Sequence, residues 1–170
     1  SAASDVYKRQ LAVIAVSGDG DAFSIGGGHL PHMCRRNPDV TLIILDNEIY
    51  GLTKGQTSPT SPEEHKTGTT PFGSAEVPLN PIAMLLSYRT SYVARAYTGQ
   101  PKEMTAIISE ALAHPGFSVV QVMSPCTTFY NTYKMWQTMV KPLPDEHDPA
   151  DLYSGMKYAL DEETMYVGVF

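Results

Sequence analysis

Two continuous apolar runs frame the start of the chain, Leu11-Ala12-Val13-Ile14-Ala15-Val16 and Val40-Thr41-Leu42-Ile43-Ile44-Leu45. Short, β-branched and unbroken by polar residues, they predict strands buried on both faces. The segment between them, Ala22 to Asn37, is long enough for a crossover helix, so the unit reads β-α-β with parallel strands. Pro31 would disturb a helix interior, and the helix is expected to begin only there. Further on, Pro81 to Ser87 predicts a short helix with Asn80 as its N-cap and Pro81 at the first helical position. Tyr92 to Ala96 reads as a strand. Lys102 to Ala113 carries Met104, Ile107, Ile108, Ala111 and Leu112 as a helical stripe, stopped by His114-Pro115-Gly116. Phe117 to Met123 predicts another buried strand.

This order predicts an α/β domain with a doubly wound, mostly parallel sheet over residues 11–126. Asn47 to Pro81 is rich in Gly, Pro and Thr and lacks periodicity; loops of that length usually serve a function. After Ser124 the pattern loosens. Residues 127–170 are expected to form an extension packing on the domain or on a partner, with a short helix near residues 150–159.

The polar blocks sit where the apolar runs end. Gly18-Asp19-Gly20-Asp21 follows the first run closely, and Asp46-Asn47-Glu48-Ile49-Tyr50-Gly51-Leu52-Thr53-Lys54 follows the second. In parallel sheets ligands bind outside the carboxyl ends of the strands, and both blocks fall there. Glycines admit a ligand close to the backbone, and a helix start offers free N–H groups to an anion. Magnesium takes oxygen ligands, one or two of them from protein and the rest from water and phosphate. Asp19, Asn47 and the carbonyl of Ile49 can supply the protein oxygens for a diphosphate-bound magnesium. A GxxxxGK[ST] phosphate loop and a GxGxxG dinucleotide fingerprint are both absent from the sequence.

The GDG triplet with an asparagine just under thirty residues later resembles the diphosphate-binding motif of thiamine diphosphate enzymes. The longer strings, GDGDAFSIGGGH and DNEIYGLTKGQTSPTSP, resemble one branch, the beta subunits of the 2-oxoacid:ferredoxin oxidoreductases. The likeness continues through Gly73-Ser74-Ala75-Glu76, Asn80-Pro81, Ser124-Pro125-Cys126 and His147-Asp148-Pro149. The resemblance implies that Gly18, Asp19, Gly20, Asp21, Asn47, Gly51 and Leu52 hold thiamine diphosphate. Asp19, Asn47 and the Ile49 carbonyl would hold its Mg2+, and Lys54 the carboxylate of the 2-oxoacid. The Thr57 to Pro62 segment would close over that substrate. Cys126 would ligate a [4Fe–4S] cluster, whose other three thiolates would come from sequence upstream of residue 11.

The implied reaction is oxidative decarboxylation of a 2-oxoacid, with 2-oxoglutarate favoured over pyruvate. Coenzyme A takes the acyl group and ferredoxin the electrons. The glutamate that activates the cofactor is expected on a partner alpha subunit, so no catalytic residue is assigned on this chain. Two alternatives are a non-redox thiamine diphosphate decarboxylase and a truncated fragment that binds cofactor weakly or not at all.

Composition adds exclusions. A net charge of −6 argues against nucleic acid or an anionic membrane as a partner. No apolar stretch approaches the length of a membrane span. Two cysteines make no secreted disulfide framework and suit a reducing cytoplasm. Cys34 is expected to be a packing residue, and His29 and His32 lack a third metal ligand nearby. Residues 1–10 contain Asp5-Val6-Tyr7-Lys8-Arg9-Gln10, which resembles translated adapter sequence; they are set aside as a non-native scar.

Overall fold

The computed structural model describes residues 11–170; the adapter-like stretch at residues 1–10 lies outside the described residues. In chain order the elements are β1 (Ile14–Gly18), α1 (Asp19–Phe23), a 3-10 turn (Ile25–Gly28), α2 (Leu30–Arg36), β2 (Val40–Asp46), β3 (Ile49–Tyr50), β4 (Gln56–Thr57), α3 (Pro81–Ser87) and β5 (Tyr92–Tyr97). They continue with α4 (Pro101–Ala113), β6 (Phe117–Met123), α5 (Tyr133–Met139), β7 (Val140–Pro142), α6 (Leu152–Ala159) and β8 (Met165–Val169).

The main sheet has six strands in the order β1-β2-β6-β5-β8-β7. Pairings β1–β2, β2–β6 and β5–β6 are parallel, as the apolar runs predicted, and β8 is antiparallel to β5. Side chains alternate across the strands, so each strand feeds two cores. Val93, Phe117 and Val119 meet α2, α3 and α6 on one face. Ala94, Ala96, Val120 and Val122 meet Ile107, Ile108 and Ala111 of α4 on the other. Helices on both faces make the sheet doubly wound. The centre is β6, whose seven residues are all buried; each fully buried valine there contributes roughly 1.5–3 kcal/mol.

Three expectations are corrected. The first apolar run is not a fully buried strand: β1 pairs with β2 alone among the described residues, and Ile14 and Val16 remain 49% and 63% exposed. The crossover is not one helix. Ser24 and the glycines at 26–28 break it into α1, the 3-10 turn and α2, because glycine loses the most backbone freedom in a helix. Pro31 is accommodated in the first turn of α2, which starts one residue earlier, at Leu30. The 47–81 stretch is mostly irregular, but it holds a small antiparallel hairpin, β3–β4, with Ile49 opposite Thr57.

The Asn80 cap is found as expected, its side chain accepting from Ala83 N–H at 3.0 Å. Beyond Cys126 the chain adds β7 and β8 to the sheet and supplies Trp136, which is 1% exposed and clusters with Tyr97, Met123 and Val167. Among the described residues no helix is long and apolar enough to cross a membrane. If the segment after Cys126 is integral to the fold, Trp136→Ala should lower unfolding free energy by about 3–5 kcal/mol. Urea denaturation followed by circular dichroism measures this, and a loss below about 1 kcal/mol would show that the segment is an accessory.

Candidate cofactor and metal site

Parallel pairing brings the two polar blocks together. Gly18 at the end of β1 lies in register with Leu45 of β2, so Asp19 and Asp46 leave neighbouring strands at the same edge. Asp19 is the first residue of α1 and is 2% exposed. Its Oδ1 accepts from the backbone N–H of Asn47 at 3.5 Å, and its Oδ2 from the Thr60 hydroxyl at 3.1 Å. Asn47 Oδ1 accepts from Ile49 N–H at 3.1 Å, an Asx turn that fixes the amide and orders the chain around Ile49. The structure thus brings Asp19, Asn47 and Ile49 together.

The glycines of both blocks are engaged differently. Tyr50 lies over Gly20: its hydroxyl donates to Gly20 O at 3.0 Å, and a Cβ at Gly20 would stand 2.2 Å from the ring. No other residue fits beneath that ring without moving it. Gly18 faces open space within 4 Å of where a Cβ would be. Asp21 is exposed and accepts from Ser17 Oγ at 2.8 Å. Leu52 is fully exposed.

Behind these residues lies an acidic cluster that the sequence did not reveal. Asp46 is completely buried and receives Gln121 Nε2–H at 2.7 Å, Thr60 Oγ1 at 2.9 Å and Glu48 N–H at 3.1 Å. Burial, then the charge of Asp19, pushes its carboxyl up to about 6 despite those donors. Glu48 is pushed up to about 8, first by burial and then by Asp46 and Asp19, and its Oε2 is buried without a partner. Arg95 is the cation nearby. Its Nε donates to Gln121 Oε1 at 2.9 Å, its guanidinium lies 5.6 Å from the Phe170 ring centre, and burial lowers it to about 10. The apolar β5 run hid Arg95, and β6 hid Gln121; both point to the polar end of the sheet. A charged or amide residue inside an otherwise apolar run was the available signal.

The donor set fits magnesium. Asp19, Asn47 and the Ile49 carbonyl are all oxygen donors, and the carboxylates of Asp19 and Asp46 outnumber the one guanidinium nearby, an excess that a divalent cation would offset. Among the described residues no three His, Cys, Asp or Glu side chains cluster as a metal cage. The protein oxygens alone are therefore too few to fill an octahedron, which suits a metal shared with a phosphate ligand. His29 and His32 are exposed, with His29 lining a small cavity beside Ser17 and Asp21, and Cys34 is buried with the Thr90 hydroxyl at 3.0 Å.

Cys126 joins the same edge after β6. A Cβ at Gly51 would meet its Sγ at 3.6 Å. Burial pushes the Cys126 thiol up, but the N–H groups of Phe129, Thr128 and Tyr130 outweigh it and hold the thiol below its usual range. A four-thiolate cluster does not fit the residues of this chain, which has only Cys126 and the remote Cys34.

Lys54 is exposed on the β3–β4 turn in a left-handed conformation, φ 79°. Gly55 donates to Tyr50 O at 2.8 Å and takes φ 94° against the Phe129 ring, so the Lys54 turn rests on the Cys126 turn. His65 reinforces that contact, its ring 4.2 Å from that of Tyr130. The Thr57 to Pro62 segment is packed inward at this edge. Ser58, Thr60 and Ser61 are buried, with Thr60 against Asp19 and Asp46, because the β3–β4 hairpin folds the chain back.

A largely parallel α/β sheet with Asp19 and Asn47 together at the ends of neighbouring strands has the form of a cofactor-binding domain. Residues 2–122 match the family described as "Thiamine pyrophosphate enzyme, C-terminal TPP binding domain". The chain belongs to that family. It is 46% identical over 121 residues to the 2-oxoglutarate synthase subunit KorB of Archaeoglobus fulgidus, covering 71% of this chain and 45% of that protein. It is 33% identical over 174 residues to a 2-oxoacid:ferredoxin oxidoreductase subunit beta of Sulfolobus sp, covering 94% and 57%. A solved 2-oxoglutarate:ferredoxin oxidoreductase from Magnetococcus marinus, with 2-oxoglutarate, coenzyme A and succinyl-CoA bound, superposes with a TM-score of 0.94 at 43% identity. That match covers 98% of this chain and 58% of the other. The resemblance read from the motifs is borne out by these relatives. The chain spans about half the length of the curated relatives it matches.

The raised carboxyl of Glu48 gives a stability signature. The native protein keeps a proton that the unfolded chain releases near the ordinary value of 4.5, so the stabilisation is complete below 4.5 and is lost as pH rises to about 8. In EDTA, stability should fall between pH 6 and 8, and Glu48→Gln should flatten that fall. Urea midpoints across the range check it; parallel curves for the two proteins would show that Glu48 does not carry the proton.

Proposed function

We propose that this chain is the cofactor-binding part of the beta subunit of a 2-oxoacid:ferredoxin oxidoreductase, with 2-oxoglutarate as the favoured substrate. The observation that carries the reading is the convergence of three blocks at one sheet edge: Asp19 with Asn47, Gly51, and Cys126 beside Gly51. Identity of 40–46% to several 2-oxoglutarate synthase or oxidoreductase KorB subunits supports the substrate preference.

In this reading Asp19, Asn47 and the Ile49 carbonyl hold Mg2+. The backbones of Gly18, Gly20, Asp21, Gly51 and Leu52 hold the diphosphate. Thiamine diphosphate, when bound, supplies the nucleophilic carbon and the electron sink that decarboxylation of a 2-oxoacid needs. The residues of this chain position and neutralise. Asp19 brings negative charge to the metal, and Tyr50 clamps Gly20 so that the two blocks keep their spacing. Lys54 meets the substrate carboxylate from a turn braced by Phe129. An exposed ammonium on a rigid turn suits a small anion that must arrive from solvent.

Cys126 is taken as one thiolate of a [4Fe–4S] cluster whose other ligands are not residues of this chain. The N–H groups around its sulfur favour the ionised form that ligation requires. An alpha subunit completes the active site and contributes the activating glutamate; ferredoxin accepts the electrons and coenzyme A the acyl group. A cytoplasmic setting goes with the free thiols Cys34 and Cys126.

The test uses the complete subunit assembled with its partner. Asp19→Ala should abolish Mg2+-dependent thiamine diphosphate binding, read by calorimetry. Lys54→Ala should leave that binding intact and raise KM for the 2-oxoacid by about tenfold or more, the worth of one charge-assisted contact. Tight Mg2+-dependent binding by Asp19→Ala would contradict the site. Turnover of 2-oxoacid without coenzyme A or an electron acceptor would favour a simple decarboxylase.

A further inference from the structure

Thr60 sits in the buried end of the loop that follows β4, and its hydroxyl touches nothing that the loop itself needs. The local turn is already closed by Ser61, whose Oγ accepts from Ser58 N–H at 2.8 Å and donates to Glu48 O. Apart from Ser58 Oγ at 3.3 Å, the contacts of Thr60 Oγ1 are remote in sequence: Asp19 Oδ2 at 3.1 Å and Asp46 Oδ1 at 2.9 Å. It is the shorter of the two hydrogen bonds to the Asp19 carboxylate, since the Asn47 N–H contact to Oδ1 is 3.5 Å, at the limit of such bonds. Asp46 is in turn fixed by Gln121, and Gln121 by Arg95, all buried.

We propose that Thr60 is a positioning residue for the metal ligand: its one hydroxyl proton, shared between Asp19 Oδ2 and Asp46 Oδ1, ties Oδ2 down and leaves Oδ1 for the cation, while Gln121, itself held by Arg95, fixes Asp46. The inference rests on the reading of Asp19 as the Mg2+ ligand and extends it to a residue that touches neither metal nor cofactor. A carboxylate with both oxygens free could rotate about its Cβ–Cγ bond and would have to be ordered when the cation binds. One anchored oxygen removes that cost in advance. Outer partners of this kind orient metal ligands throughout metalloproteins, and their loss typically costs 10–100-fold in metal affinity. Asp46 is suited to the anchoring because Glu48 N–H and Gln121 already engage its two oxygens and it is fully enclosed. The hairpin β3–β4 is then part of the metal site, since it returns the chain to bring Thr60 under Asp19.

The test is made on the complete subunit in its assembled enzyme, with MgCl2 titrated in the presence of thiamine diphosphate and binding read by calorimetry or fluorescence. Thr60→Val removes the hydroxyl at nearly constant shape and should raise the half-saturating Mg2+ concentration by about 10–100-fold. Thr60→Ser keeps the hydroxyl and should stay within about twofold of the parent. Thr60→Ala is measured in the same way, so that a misfolded valine variant does not decide the matter. Asp19→Ala separates the two levels of the argument. If Asp19→Ala loses Mg2+ dependence while Thr60→Val and Thr60→Ala keep the parent value, the site stands and the role of Thr60 is overturned. If Thr60→Ser loses as much as Thr60→Val, the hydroxyl is not the operative group and the proposal fails. If Asp19→Ala itself keeps the parent Mg2+ dependence, the ligand reading falls and takes the positioning role with it.

Discussion

The arrangement depends on negative charge gathered out of water at the carboxyl ends of two neighbouring parallel strands. Asp19 and Asp46 are 2% and 0% exposed, and Glu48 follows two residues after Asp46. Isolated buried carboxylates are costly unless hydrogen-bonded or paired with cations. The protein meets that cost locally with Thr60, Gln121, the backbone N–H groups of Asn47 and Glu48, and the distant Arg95. Burial still pushes the carboxyls of Asp46 and Glu48 up despite these partners. A divalent cation between Asp19 and Asn47 would complete the balance.

The rest of the fold serves that edge. Parallel register places Asp19 beside Asp46, and β6, buried on both faces, delivers Gln121 from below and Cys126 beyond its end. Arg95 on β5 lies opposite Gln121 in the register, which is why one guanidinium can serve a network two strands away. The C-terminal strand β8 closes over β5 and brings Phe170 against Arg95. Sheet, tail and site are therefore one construction.

Much of this was legible in the sequence. Continuous apolar runs named the parallel strands, Asn80-Pro81 named a helix start, and GDG with a later asparagine named two residues that the fold brings together. Other features were not legible, for physical reasons. The exposure of β1 depends on which strands flank it, and an apolar run looks the same at an edge as in the middle. The broken crossover was written in Ser24 and the glycines at 26–28, which are costly inside a helix. Thr60, Gln121 and Arg95 were invisible because their roles rest on contacts distant in sequence. Thr60 looked like a loop residue, while Gln121 and Arg95 interrupted otherwise apolar strands. A polar residue inside a buried strand was the signal to follow.

Diffraction from the assembled enzyme grown with thiamine diphosphate and Mn2+ in place of Mg2+ tests the central claim most directly. The account predicts an anomalous peak coordinated by Asp19 Oδ1, Asn47 Oδ1 and the Ile49 carbonyl, with the diphosphate on its far side. A peak elsewhere, or cofactor bound with no metal between Asp19 and Asn47, would contradict it.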